Sequence, residues 1–391
     1  DCQELCGNQK YFTEGKKMKK NMNIREYIYL LMTDKDNSFF ASILKGIFYL
    51  ASLLYLLALK INFYLMRNGI FKTVYLEAKV ISVGNITLGG TGKTPLVELV
   101  SRIFIENAKK VAILTRGYKI APGKSSMPAA DEPELLRIRL PQADVLAGPD
   151  RVKTGRTAIC NYGADVLILD DGFQYWRLSR DTDILAIDAT NPYGNGNLLP
   201  RGILREPVAN IVRAGIIVIT KADAVSSQQV EKIINGIKSI NPDAHIFTST
   251  HGSEKIYEFA NFEKMQIQPG QEENFPLEWL KDKKVLVVCG IGDPDYFVKT
   301  IESLGGVVGC SLFFQDHHPY VFGDLELITK KCRQAGVDSV LVTEKDMIKL
   351  RPLIQRHILG FESFKIRFLA LGIKLRILEN EQKFRELILS K

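Results

Sequence analysis

The 391-residue chain is poor in the residues that build metal centres and disulfide frameworks. Its six cysteines are scattered and none forms a C-x-x-C pair. Cys2 and Cys6 lie in a polar stretch, while Cys160, Cys289, Cys310 and Cys332 lie in or near apolar segments. That usage argues against a disulfide scaffold and for reduced thiols in a cytoplasmic compartment. Histidine is scarcer, at five, and only His317 and His318 sit together; no third histidine or cysteine stands at ligand spacing from them, which argues against a zinc site there. No internal repeat or low-complexity tract is found, so a repeat array is set aside. No multi-span pattern exists either, since the apolar and charged fractions, 46% and 25%, are those of a soluble globular protein.

One apolar segment stands out. Phe39 to Leu65 reads FFASILKGIFYLASLLYLLALKINFYL, with about 14 uncharged residues between Lys45 and Lys60, short of the ~20 that span a bilayer. Basic residues flank both ends, so the charge rule gives no orientation. Its distance from the N-terminus and lack of a small-residue cleavage site argue against a secretory signal. Three readings fit: a helix seated in the membrane interface, a single span, and a core helix packed on the following domain. Residues 1–37 are polar and lysine-rich and are expected to be poorly ordered. The net charge of +8 suits an anionic partner, and equally a surface of solvated lysines.

The richest stretch is Val80 to Val100, VISVGNITLGGTGKTPLVELV. It reads as a buried strand, a glycine-rich loop and a helix opening at Lys93-Thr94. Glycines let backbone N–H groups turn inward, and the helix N-terminus adds its positive dipole end, so the loop Thr87-Leu88-Gly89-Gly90-Thr91-Gly92 forms a phosphate cradle. Lys93 would reach the outer phosphates and the Thr94 hydroxyl would ligate Mg²⁺. The loop departs from the usual pattern in having Thr87 where the first glycine belongs. Pro95 lies in the first helical turn, where its missing N–H costs nothing.

Further strands end in polar residues. Asp165 to Leu169 runs into Asp170-Asp171-Gly172-Phe173-Gln174, an acidic strand end of the kind that organises Mg²⁺ in phosphate-loop sites. Asp131-Glu132-Pro133 opens a helix; Asp131 is either its cap or a carboxylate placed to meet a substrate hydroxyl. After the strand Asp183 to Asp188 comes the long loop Gly194 to Pro207, GNGNLLPRGILREP, which carries Arg201, Arg205 and Glu206; a loop of that length at a strand's carboxyl end is more often functional than structural. Thr220-Lys221-Ala222-Asp223 resembles the base-reading T/N-K-x-D of phosphate-loop GTPases. Alternating apolar strands and helices predict a doubly wound, mostly parallel sheet. A weakly periodic stretch with Pro269-Gly270 separates this block from a second αβ block containing GIGDP (290–294), DHHPY (316–320) and TEKD (343–346). The expected division is a tail (1–37), an apolar helix (38–68), a phosphate-loop domain (69–255), a linker (256–282) and a C-terminal α/β domain (283–391).

Ten stretches taken in order resemble the tetraacyldisaccharide 4'-kinase family of lipid A biosynthesis: SVGNITLGGTGKTP, LTRGY, DEPELL, AGPDR, LILDDGFQ, GNGNLLPRGILREP, TKAD, GIGDPDYF, DHHPY and TEKD. The resemblance runs from about Lys60 to Lys349. It implies two α/β domains joined by a short hinge, the first a phosphate-loop NTPase domain, preceded by a membrane-associating helix. It implies transfer of the γ-phosphoryl of ATP, with Mg²⁺, to the 4'-hydroxyl of a tetraacyl disaccharide 1-phosphate. The setting would be the cytoplasmic face of the bacterial inner membrane, with an anionic acylated disaccharide lipid and the membrane surface as partners, no nucleic acid, and a monomer. By position, Lys93 and Thr94 hold phosphate and Mg²⁺, Asp170 and Asp171 organise Mg²⁺, and Asp131 accepts the hydroxyl proton. His317 or His318, the latter preferred, pairs with Asp131, and Arg151, Arg205 and Glu206 support the site. Tyr175 stands where the family usually has histidine after DDGFQ, which leaves the role of that position open. Two rival readings stay open: a switch-type NTPase that reads guanine through TKAD, and a soluble small-molecule kinase in which helix 39–65 is core.

Overall fold

The computed structural model describes residues 24–117, 131–258, 275–316, 318–356 and 366–390. Two compact units emerge. One comprises Glu14–Arg116, Gln142–His251 and Leu375–Lys391, and the other includes Gly117–Pro141 and Gly252–Lys374.

The first unit contains β1 (Lys79–Gly84), β2 (Val111–Thr115), β3 (Asp144–Ala147), β4 (Val166–Asp170), β5 (Thr182–Asp188), β6 (Ile216–Thr220) and the start of β7 (His245–Glu258). Strands β2, β4 and β6 are buried at every residue, which explains their unbroken apolar runs: a parallel strand covered on both faces has no solvent side to alternate with. The order is β3-β2-β4-β1-β5-β6-β7, all neighbours parallel. Register pairs Val83 with Asp170 and Asp188 with Thr220, so the loops after β1, β4, β5 and β6 leave along one carboxyl edge. The chain reverses direction across the sheet at β1, where such folds place their ligands. Helices α3 (Lys93–Glu106), α5 (Arg151–Tyr162) and α6 (Ser227–Ile240) complete this unit's αβ pattern, and α4 (Asp131–Arg139) belongs to the other unit.

Two helices precede the sheet, α1 (Ile24–Met32) and α2 (Phe39–Arg67). The expectation of a poorly ordered stretch through residue 37 is therefore corrected at its end: α1 buries Leu31 and Met32. Asp34 at the turn accepts from Arg201 at 2.9 and 3.2 Å and pairs with Lys45 at 2.8 Å. Along α2 only Ala41 and Ser52 are buried, while Phe39, Phe40 and Leu54 are 70% exposed or more. The core-helix reading fails on that count. Its mean hydropathy of 1.9 makes it the one helix among the described residues long and apolar enough to cross a membrane.

The second unit holds the end of β7, β8 (Lys284–Cys289), β9 (Val307–Phe313), β10 (Ser339–Thr343) and most of β11 (Arg367–Ile377), in the order β11-β10-β8-β9. With them come α4, α7 (Pro294–Ser303), α8 (Phe322–Ala335) and α9 (Glu344–Arg356). The chain enters the second unit twice, first over Gly117–Pro141, which carries α4, and again along β7, returning along β11. The expected single linker over 256–282 is corrected accordingly: Ile256 is buried in β7, and Leu277–Leu280 form a 3-10 turn.

The expected C-terminal domain also ends too late. Helix α10 (Glu381–Leu389) belongs to the first unit, where buried Phe384 meets Phe247 with ring centroids 5.1 Å apart. Lys79 Nζ donates to the Ile388 carbonyl at 2.6 Å, and Arg385 pairs with Glu106 at 2.7 Å. Removing a fully buried aromatic ring leaves a cavity the backbone cannot close. Phe384→Ala should cost about 3–5 kcal/mol in denaturant unfolding; a loss under 1 kcal/mol would mean α10 is not packed into the core.

Candidate functional site

The loop after β1 has the geometry of an anion cradle. Gly89 and Gly92 take positive φ (112° and 78°), and Gly92 is the N-cap of α3. A side chain at Gly92 would also meet His251 Nε2 at 2.8 Å, so glycine is required twice over. No acidic residue lies in the first turn of α3 to compete with an anion. Buried Asn85 ties the loop internally, donating to the Thr87 carbonyl at 2.7 Å and the Thr91 hydroxyl at 2.9 Å. The Thr220 hydroxyl donates to the Thr91 carbonyl at 2.9 Å. Leu88, Gly89 and Gly90 are exposed, whereas Thr87, Thr91 and Thr94 are buried.

The acidic pair stands beside this loop. Asp170 ends β4 and is buried; Asp171 turns with φ 56°. Asp171 accepts from Arg205 at 2.7 Å and lies 3.8 Å from Lys93 Nζ. Burial alone would raise the Asp171 carboxyl, but the Arg205 hydrogen bond and the charges of Lys93, Arg205 and Arg151 hold it below the usual carboxylate range. Arg151 donates to the Asp170 carbonyl at 3.2 Å. A lysine, a threonine and two carboxylates at a glycine cradle form a donor set that fits a nucleotide phosphate with Mg²⁺.

The loop Gly194–Pro207 backs the cradle. Leu88 N–H donates to the Ile203 carbonyl at 2.8 Å and Arg205 N–H to the Ile86 carbonyl at 2.7 Å, an antiparallel bridge across Thr87 and Leu204. Glu206 is fully buried and bonds Arg213 at 2.6 Å and Asn210 at 2.7 Å, so it anchors the loop. The Tyr55 hydroxyl of α2 donates to the Arg205 carbonyl at 2.8 Å.

Tyr175 lies at the start of α5. Its hydroxyl accepts from Arg151 N–H at 3.1 Å and donates to Asp150 Oδ1 at 3.3 Å, while Asp150 caps α5. The tyrosine thus reinforces a helix cap.

Lys221 of the TKAD stretch pairs with Asp188 at 2.7 Å, both largely buried. A lysine so engaged is part of the cradle's floor, which weighs against the guanine-reading alternative. His251, not singled out by the sequence, is part of the same floor. Burial, then the charge of Lys221, push its imidazole down to about 4, so it is neutral at physiological pH.

In the second unit Asp131 opens α4, as the sequence suggested, but its side chain lies outside the described residues, as does His317. His318 Nε2 is 2.9 Å from Asp324 Oδ2, and the same carboxylate oxygen accepts from Val321 N–H at 2.8 Å. The ring stacks on Phe314 with centroids 4.6 Å apart and meets Tyr320 edge-on at 5.0 Å. No group of three or more potential metal ligands of the His, Cys, Asp and Glu types occurs among the described residues.

The family model described as tetraacyldisaccharide-1-P 4'-kinase matches residues 44–391. The chain belongs to that family. It is 35% identical to the tetraacyldisaccharide 4'-kinase of Halothermothrix orenii over 358 residues, covering 88% of this chain and 90% of the relative. It is 36% identical to that of Syntrophus aciditrophicus over 395 residues, covering 94% and 98%. Among solved structures it is similar to the "apo" form of LpxK from Aquifex aeolicus in complex with ATP, at 29% identity and a TM-score of 0.63, over 88% of this chain and 98% of that one. The chain is accordingly a kinase with a phosphate-loop α/β fold.

Family membership makes the cap role of Tyr175 testable. Tyr175→Phe should cost about 0.5–1.5 kcal/mol of stability, the usual worth of a hydrogen bond, with kcat/KM unchanged. A large drop in kcat/KM at unaltered stability would instead place the hydroxyl on substrate.

Proposed function

We propose that this protein transfers the γ-phosphoryl of ATP to the 4'-hydroxyl of tetraacyldisaccharide 1-phosphate, forming lipid IVA at the cytoplasmic face of the bacterial inner membrane. The observation that carries this reading is a phosphate cradle whose backing loop is bonded to a long, outward-facing apolar helix, in a chain that matches this kinase family over residues 44–391. A soluble small-molecule kinase has no use for that helix face.

In this reading the backbone of Thr87–Gly92 and Lys93 hold the β- and γ-phosphates. Thr94, Asp170 and Asp171 would hold Mg²⁺, which when bound neutralises charge on the transferring phosphoryl. Arg205 keeps Asp171 ionised and in place. Arg151 fixes the end of β4, and Glu206 anchors the loop that carries Arg205. Asp131 accepts the proton of the attacking hydroxyl. His318 is already committed to Asp324 and to two aromatic rings, so it shapes the loop, and we assign the partnership with Asp131 to His317.

The helix supplies the membrane contact. Tyr55 bonds the Arg205 carbonyl, and the Phe63 and Trp176 ring centroids are 4.2 Å apart, so one face of the C-terminal half of α2 is held on the kinase unit. The opposite face presents Leu50, Leu54 and Leu57. A helix held this way lies in the membrane interface rather than across the bilayer.

The deciding assay follows labelled γ-phosphate from ATP to the disaccharide lipid in detergent micelles. Asp131→Ala should cut transfer roughly 10²–10⁴-fold, the usual worth of a general base. His317→Ala should slow transfer at unchanged Tm, and His318→Ala should lower Tm. ATP turnover without labelled lipid would overturn the acceptor assignment. Replacing Leu50, Leu54 and Leu57 with serine should reduce co-flotation with anionic vesicles by more than about tenfold, since each inserted leucine contributes about 1.5–3 kcal/mol; unchanged flotation would remove α2 as the membrane contact.

A further inference from the structure

Among the sequence motifs, Thr343-Glu344-Lys345-Asp346 has no role in the scheme above. It closes β10 and opens α9, and three successive side chains reach three different partners. Glu344 receives a two-pronged pair from Arg139, Nε to Oε1 at 2.9 Å and Nη2 to Oε2 at 3.0 Å, with both side chains buried. It also accepts from Ile373 N–H at 3.2 Å. Lys345 Nζ reaches Glu132 Oε1 at 2.5 Å. Asp346, fully buried, accepts from the Tyr320 hydroxyl at 3.0 Å, the Thr343 hydroxyl at 2.6 Å and Gly290 N–H at 3.1 Å.

Two of these partners lie on α4. Glu132 is its second residue and Arg139 its last, seven apart and hence on one face. A nine-residue helix is too short to hold its own geometry, and α9 grips it at both ends. Asp131 immediately precedes Glu132. The third partner, Tyr320, ends the loop that carries His318, whose ring rests against Tyr320.

We propose that Glu344, Lys345 and Asp346 form a positioning clamp that sets the start of α4, with Asp131, and the His318–Tyr320 loop in a fixed register for proton acceptance. The proposal rests on Asp131 being the base. The Lys345–Glu132 pair is its most informative member. Both side chains keep 29% of their exposure, and pairs near the surface add little to stability. What this pair supplies is the direction of the first turn of α4, and a misplacement of 1 Å at a reacting group can cost on the order of a hundredfold in rate.

The test uses the full-length enzyme and the labelled-phosphate transfer assay. Lys345→Met and Glu132→Gln should each lower kcat by roughly ten- to a hundredfold, with KM for ATP and Tm unchanged. The exchange of charges, Glu132→Lys with Lys345→Glu, should restore most of the rate. Added to Asp131→Ala, Lys345→Met should cost nothing more. Tyr320→Phe, which removes only the hydroxyl on Asp346, should lower kcat in the same sense. Undiminished kcat in Lys345→Met, no recovery in the charge exchange, or losses that multiply with Asp131→Ala would overturn the clamp. Full transfer by Asp131→Ala alone would instead overturn the base assignment, so the two failures are distinguishable.

Discussion

An ionised carboxylate at the mouth of the phosphate loop organises everything around it. Asp171 is pulled from two sides, by Arg205 at 2.7 Å and by Lys93 at 3.8 Å. Burial opposes the charge, but the two cations and Arg151 outweigh it. The balance directs the Lys93 ammonium across the loop and holds the Arg205 guanidinium against Asn85, at 3.2 Å, the residue that shapes the loop from within. The floor beneath adds no net positive charge, because Lys221 is matched by Asp188 and His251 is neutral. Attraction for phosphate therefore comes from Lys93, the loop N–H groups and the start of α3.

Arg205 also makes the cradle depend on the segment around Pro200. That loop has no regular secondary structure but is far from loose. A side chain at Gly202 would collide with Asn195 Oδ1 and the Asn197 carbonyl, Ile203 and Leu204 are buried, and Glu206 is locked by Arg213. The same segment holds the N-terminal helices through Arg201 with Asp34 and through the Arg205 carbonyl with Tyr55. The apolar helix and the nucleotide cradle are thus fastened to opposite sides of one rigid loop.

Much of this was legible in the sequence because strands buried on both faces leave continuous apolar runs and their polar ends mark the carboxyl edge. The strand that opens Val80–Val100 and the strand Asp165–Leu169 were readable that way, and with them Lys93, Asp170 and Asp171. Partners distant in sequence were not. Nothing local marks Phe384 as packing on Phe247, or Arg139 as the mate of Glu344, since each pair is separated by more than a hundred residues. His251 gave no signal because its meaning is a contact with Gly92. Tyr175 was legible as a departure from the family pattern, but its duty at the α5 cap depends on where Asp150 and Arg151 stand. Strand β11 and helix α10 were not singled out within 283–391: the buried apolar run of β11 is interrupted by Gly372, Lys374 and Arg376, and α10 is only nine residues long.

In the proposed reading, the way α2 is fastened bears on how a membrane would be met. Tyr55 lies near the middle of the helix, and its hydroxyl is bonded to the carbonyl of a residue whose guanidinium holds Asp171. A helix crossing the bilayer would carry that hydroxyl, and the Arg205 and Asp171 charges behind it, toward the hydrocarbon centre, where each charge costs several kcal/mol. A helix lying in the interface keeps them on the aqueous side while its outer leucines reach the acyl region. Exposed Lys60 then remains at headgroup level, where cations are drawn to anionic lipid, while Lys45 stays with Asp34. The substrate in the proposed reaction has its acyl chains in the bilayer and its sugar hydroxyl at the surface. An in-plane helix brings the phosphate cradle to that depth without moving the lipid into water.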